Sequence, residues 1–268
     1  MRDRAPRLLG LRLLWDDVTN AARGWRMAPH GAQRDLPGWP VLGEARLPIR
    51  VRPELGPHNA ARVHNMALCA RLIHGLRLQP GEVFSMRRVV GDPSPARGFQ
   101  GGPMLVGGRI AISPGGGLCQ VATALFNAAL QANLEVLEKW NHSVDVWGAA
   151  RMVDLGRDAT YVHGRRDVKF RNDTDDEVAL VLEVDVEARA LSCAIVSPGP
   201  SPGVVEVRPE VVGVLWPRGP VRAGQEVRHG WVVVTTRTVS LGGAPRVTYR
   251  RVERYRPAVL EPAEGPSR

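Results

Sequence analysis

The chain has 268 residues, 44% hydrophobic and 24% charged, an ordinary globular balance with length for one large or two modest domains around a buried core. Its net charge of +9 does not mark a nucleic-acid binder: only Lys139 and Lys169 are lysine, and the other 34 of 36 cations are arginines scattered in short pairs such as Arg87-Arg88, with no recognised binding motif. No stretch approaches the roughly 20 apolar residues of a transmembrane helix, and three cysteines without CxxC spacing exclude a disulfide framework and fit a reducing compartment.

The opening "MRDRAPRLLGLRLLWDD" reads as an arginine-rich helical lead. Arg7 and Arg12 interrupt its leucines, Asp16 and Asp17 close it, and no small-residue cleavage site follows, so a soluble, cytoplasmic protein is expected. A Pro- and Gly-rich loop, "RDLPGWPVLGEARLPIRVRPELGP", comes next. Residues 58–74 carry Val63, Met66, Ala70 and Ile73 at helical spacing, with Gly75 placed to end the helix and Cys69 packed inside it. Pro80-Gly81 marks a turn before a short strand, and Gly107-Gly108 a hairpin corner between "PMLV" and "RIAIS". A second helix is expected over residues 118–131, its apolar stripe on Leu118, Val121, Leu125 and Ala128 and its polar side near Gln120, Asn127 and Gln131.

Beyond it, strand-like segments follow one another: "LEVLEKW", "SVDVW", "ATYVHG", "DVKFRN", "EVALVLEVDV" and "LSCAIVS", the last holding Cys193 in a strand interior. After the "SPGPSPG" punctuation come longer strands and a frayed tail. The expected fold class is α+β, two main helices packed on antiparallel strands with a β-rich C-terminal part. The expected division is a helical lead and linker over 1–56, a core domain over 57–197, a β-rich region over 198–256 and a flexible tail over 257–268.

The chemistry concentrates in "PGGGLCQ". A helix N-terminus has unpaired N–H groups and a positive dipole end, and a thiol there titrates low. Cys119 falls in the first turn, and Gly115, Gly116 and Gly117 leave room for a substrate to approach the backbone. The N–H groups of Cys119 and Gln120, with the Gln120 amide, suit an oxyanion. Downstream, His142 and, 16 positions later, Asp158 are spaced so that paired strands would set them side by side, completing a Cys-His-Asp triad. Trp140 and Trp147 flank the histidine as core anchors or as a substrate wall, with core the favoured role.

Taken in order, "RVHNMALCARLIHGLRLQPGEVFSM", "RGF", "PGGGLCQVATALFNAAL", "HSV", "GRDAT" and "DVKFRNDT" resemble the VanW family over roughly residues 60–196. The resemblance implies that Asn65, Phe84, Ser85, Gly115, Gly116, Gly117, Cys119, Gln120, His142, Asp158, Ala159, Thr160, Lys169 and Asn172 are family positions. It implies a link to the bacterial cell wall and, by association, to glycopeptide resistance, without bringing an established reaction.

The leading expectation is a cysteine acyltransferase or hydrolase acting on a cell-wall precursor or peptide-like metabolite. Cys119 is its nucleophile, His142 its base and then acid, and Asp158 the orienting carboxylate; Gly115–Gly117 and Gln120 bind the oxyanion, and Asn65, Ser85, Thr160 and Lys169 the substrate. It needs no cofactor and no metal, and its partner is a small-molecule or peptide-like substrate. Two alternatives remain open: a noncatalytic ligand-binding or accessory protein, and a metal-dependent enzyme using Cys119, His142 and Asp158.

Overall fold

The computed structural model describes residues 4–260 apart from 30–35, 37, 107–108, 219–221 and 223–224. Its elements run α1 (Arg4–Ala22), β1 (Arg26–Met27), β2 (Val41–Pro48), α2 (His58–Ile73), β3 (Arg77–Leu78), β4 (Glu82–Ser85) and α3 (Met86–Val90). There follow β5 (Gly101–Val106), β6 (Arg109–Pro114), α4 (Leu118–Gln131), β7 (Glu135–Glu138), β8 (Lys169–Arg171), β9 (Val178–Asp185) and β10 (Ala190–Val196). The C-terminal part holds β11 (Val204–Leu215), β12 (Glu226–Arg228), β13 (Gly230–Ser240), β14 (Arg246–Tyr255) and β15 (Ala258–Leu260). This is the α+β arrangement expected, strand-rich at its C-terminal end. No helix among the described residues is long and apolar enough to cross a membrane.

Two four-stranded sheets, in orders β1-β4-β8-β7 and β2-β10-β9-β3, surround α4 together with α2. The helix is half Ala and Leu and, Cys119 apart, is buried from Leu118 to Leu130, so it has no wet face. Gln120 and Asn127, expected on its wet side, are therefore buried, and their amide N–H groups find partners in the core: Gln120 Nε2 donates to Pro48 O at 3.0 Å, and Asn127 Nδ2 to Arg157 O at 2.8 Å. Cys69 and Cys193 lie in this core, and burial raises both thiols.

The segment expected as a Pro/Gly-rich loop contains β2, which pairs antiparallel along the whole of β10. Its Gly43 is required by α4: a Cβ there would lie 2.1 Å from Ala132 N at the end of the helix. The Gly107-Gly108 corner falls outside the described residues, although β5 and β6 pair on either side of it. Two expected strands are absent. Residues 143–147 are irregular, and 159–164 contribute only the isolated Val162–Arg166 bridge.

The C-terminal sheet, β11-β13-β14, is stitched to this core by buried polar groups. Arg237 on β13 is 2% exposed and donates to the Leu134 carbonyl at 2.9 Å and the Leu130 carbonyl at 3.3 Å, neutralising the negative end of α4. Lys139 and Glu253 meet at 2.5 Å, both almost wholly buried. At the other end of the chain, α1 docks through Asp16, which holds Lys169 Nζ at 2.7 Å and Arg87 at 2.9 Å.

Because Ala132 cannot move away without shifting the end of α4, Gly43→Ala should destabilise the fold by about 1–3 kcal/mol, an overpacking cost. A denaturant titration should show a lower midpoint at unchanged slope; an unchanged midpoint would mean that β2 and α4 do not pack this closely.

Candidate active site

The three glycines before α4 are fixed by packing. A Cβ on Gly116 would lie 2.1 Å from the Gly102 carbonyl carbon in β5, and one on Gly117 would lie 2.8 Å from Arg62 Cγ in α2. Gly117 also adopts φ +105°, a backbone that L side chains rarely take. Asn65 braces the loop: its Nδ2 donates to Gly116 O at 3.0 Å and to Gln100 O at 2.8 Å, while its Oδ1 accepts from Gln100 N at 2.8 Å. The glycines thus let the chain pass between α2 and β5 and deliver Cys119 to the first turn of α4.

Turn hydrogen bonds use the N–H groups of Leu118 and Gln120, which donate to Gly115 O at 3.2 Å and Gly117 O at 2.9 Å. The Cys119 N–H makes no hydrogen bond among the described residues. The oxyanion expectation shifts accordingly. Cys119 N–H is the free donor, whereas the Gln120 amide donates to Pro48 and its Oε1 is buried without a partner.

Cys119 and His142 line one cleft, together with Gly115, Gly116, Gly117 and Gln120. The Cys119 Sγ lies 3.7 Å from the Tyr161 carbonyl. On the far side of the ring, His142 Nδ1 meets Asp158 Oδ2 at 2.6 Å, and the same oxygen accepts the His142 backbone N–H at 2.8 Å. Asp158 therefore grips both ring and main chain of the histidine, leaving Nε2 for the sulfur. Its other oxygen accepts the hydroxyl of Tyr255, which in turn accepts the Gly156 N–H at 2.6 Å. The pairing of His142 with Asp158 is as anticipated, but irregular segments achieve it rather than a strand ladder.

The electrostatics follow from this chain of contacts. Burial alone would raise the Cys119 thiol, but its interaction with His142, a backbone contact to Tyr161 and the charge of Arg166 outweigh burial and lower it. Burial likewise opposes a charged imidazole, yet Asp158 and Cys119 together push His142 up to about 10. Asp158 is brought down to about 2, burial being overcome by His142 and by the charge of Lys139. Both shifts favour the thiolate–imidazolium form of the pair over the neutral one.

The remaining family positions have structural jobs outside the cleft. Ser85 caps α3, accepting the Arg88 N–H at 3.2 Å and donating to Asp167 at 2.6 Å. Thr160 donates to Trp140 O at 3.1 Å, and Lys169 is held between Asp16 at 2.7 Å and Glu138 at 2.9 Å. Asn172 caps a turn through Thr174, and Phe84 stacks on Phe170 in the core. These side chains are consumed by their own partners, which is why Ser85, Thr160, Lys169 and Asn65 do not reach the cleft as substrate ligands. Among the described residues no three His, Cys, Asp or Glu side chains converge as metal ligands.

Several contributors escape the sequence pattern. Tyr255 comes from β14, nearly 100 positions beyond Asp158, and no periodicity links the two. Arg52, Arg62 and Trp147 line the cleft, so Trp147 is a wall of it, while Trp140 stands 45% exposed rather than in the core. Lys139 carried a readable signal, being one of two lysines in a chain that otherwise uses arginine.

A family model described as "VanW like protein" matches residues 61–196, just over half of the chain. The uncharacterized protein YoaR of Bacillus subtilis (strain 168) is 34% identical over 122 residues, 46% of this chain and 39% of its own length. The vancomycin B-type resistance protein VanW of Enterococcus faecalis (strain ATCC 700802 / V583) is 32% identical over 127 residues, 47% of this chain and 46% of its own. The chain thus spans under half the length of these curated relatives. No solved structure matches it significantly.

The pH response has a definite sign. The depressed Cys119 pKa keeps the thiolate until pH falls through that lowered value, and the raised His142 pKa keeps the imidazolium until pH rises through about 10. Alkylation of Cys119 by iodoacetamide should reach half its maximum below the free-thiol value of about 8.5, and His142→Ala should move that midpoint upward. A wild-type midpoint at or above 8.5, indifferent to the histidine, would refute the ion pair.

Proposed function

The chain belongs to the VanW-like family, and from that premise we propose that it is a cysteine-dependent enzyme of acyl transfer or amide cleavage, acting on a cell-wall precursor or peptide-like metabolite. The observation that carries this reading is a thiol in the first turn of α4 that lines one cleft with an imidazole whose Nδ1 is held at 2.6 Å by Asp158. A structural thiol has no need of that arrangement; Cys69 and Cys193 are simply buried.

In the proposed reaction, the Cys119 thiolate attacks the substrate carbonyl carbon, and the carbonyl electron pair moves onto oxygen. The Cys119 N–H and the positive end of α4 stabilise that oxyanion. On collapse, the C–N bond breaks and His142 gives its Nε2 proton to the departing amine, leaving a thioester on Cys119. Water or a second amine then attacks the thioester, His142 taking the proton of the attacking group and keeping it while the C–S bond breaks and the sulfur leaves as thiolate, which restores the starting pair. Asp158 keeps the ring in the tautomer and orientation both steps require, and Tyr255 keeps Asp158 in place. These residues supply nucleophile, base and oxyanion donor without a cofactor. The name of the Enterococcus faecalis relative, a vancomycin-resistance protein, favours cell-wall precursors as the first substrates to try.

Incubation with cell-wall precursor peptides, read by intact-protein mass spectrometry, should show an acyl adduct on the wild-type protein and none on Cys119→Ala, at unchanged thermal midpoint. Asp158→Asn should slow turnover by about 10²–10⁴-fold, the scale seen when a triad loses its orienting carboxylate. Full biological activity in Cys119→Ser would overturn the reading in favour of an accessory, noncatalytic role.

A further inference from the structure

The cleft at Cys119 has two cationic walls. Arg52 and Arg62 line it, with Met104, Leu105, Trp147 and Met152 among its apolar surfaces, and among the described residues no aspartate or glutamate does. Arg62 is 7% exposed; one of its Nη atoms donates to the Arg50 carbonyl, and its Nε is buried without a partner. Its stem rests against Gly117, so the guanidinium is anchored beside the loop that delivers the nucleophile. Arg52 lies 3.5 Å over the Trp147 ring and makes no ion pair among the described residues.

A cation removed from water without a counter-charge is unfavourable. Here burial lowers both arginines: Arg52 lowers Arg62 further, while Glu54 offsets part of the effect on Arg52 and Arg50 adds to it. One backbone carbonyl satisfies a single N–H of the Arg62 fork, and the Trp147 face satisfies none of the N–H groups of Arg52. Planar guanidinium forks of this kind match the oxygens of carboxylates and phosphates.

We propose that this pair of arginines is an anion subsite, and that the enzyme selects acyl substrates bearing a carboxylate or phosphate near the carbonyl that Cys119 attacks. The proposal rests on Cys119 being the nucleophile. The subsite gives the substrate its direction in the cleft. With the anion drawn to Arg62 and Arg52, the adjoining carbonyl is brought to the sulfur and the Cys119 N–H. The apolar walls exclude water from the ion pair and so strengthen it.

Two small alkylating reagents test this on the intact protein. Iodoacetate carries a carboxylate and iodoacetamide is its neutral counterpart; both report at Cys119, since Cys69 and Cys193 are buried. The ratio of their rate constants should be about tenfold higher in the wild type than in an Arg52→Gln/Arg62→Gln double variant, the scale of one charged hydrogen bond. Each single variant should fall between, and Arg62→Lys, which keeps the charge but loses the planar fork, should lie between the wild type and Arg62→Gln. Should Arg62→Gln not fold by circular dichroism, Arg52→Gln and Arg62→Lys carry the comparison. Acetate slowing iodoacetate at lower concentration than inorganic phosphate supports a carboxylate subsite, and the reverse order a phosphate one. A ratio within about twofold across folded variants overturns the subsite, because charged hydrogen bonds would exceed that. Sluggish wild-type reaction with both reagents is a different result, overturning the thiolate reading beneath it.

Discussion

The Asp158 carboxylate is the constraint on which the site depends. One oxygen holds the His142 ring and its backbone N–H, and the other receives the Tyr255 hydroxyl. Neither His142 nor Asp158 sits in regular secondary structure, so no ladder or helix fixes their relation. The carboxylate does that work through three hydrogen bonds, and Lys139, paired with Glu253 behind it, favours its charged form. Two of the groups in that network, Tyr255 and Glu253, lie on β14, outside the stretch shared with the family. The family-matched core and the C-terminal sheet therefore build the site jointly.

The thiol has a different origin of order. It is delivered by a loop squeezed between α2 and β5, where even a methyl group at residue 116 would collide with backbone. Packing of this kind leaves the sulfur little freedom, and a helix buried on nearly every side fixes the direction in which the N-terminus points. Two independent systems, close packing on one side and a hydrogen-bonded carboxylate on the other, converge on a single cleft. Such convergence is what preorganisation of a reacting pair requires.

The sequence made some of this legible because local chemistry wrote it locally. The Gly run before Cys119, the helix that follows and the three thiols could be placed from spacing and composition alone, and so could the pairing of His142 with Asp158. The irregular course of 143–147 and 159–164 was not legible, since β-rich composition reads as strand whether or not a partner strand exists. Ser85, Thr160 and Lys169 looked like substrate ligands because polarity alone does not reveal who the partner is; each is spent on a neighbour. Gln120 and Asn127 misled for a related reason, as helical periodicity assumes one wet face and α4 has none. Tyr255 and Arg62 reach the site through tertiary contacts across long sequence separations, which no short pattern records.

The chain buries both of its lysines, so that its exposed basic side chains are arginines. Lys139 is 0% exposed and Lys169 1%. Each ammonium is held by carboxylates, Lys139 by Glu253 and Lys169 by Asp16 and Glu138. One result is an exterior that offers no side-chain amine to acylating crosslinkers, acetyltransferases or ubiquitin ligases. Another is that the surface keeps its positive charge deep into alkaline solution, where a lysine-coated protein would have discharged.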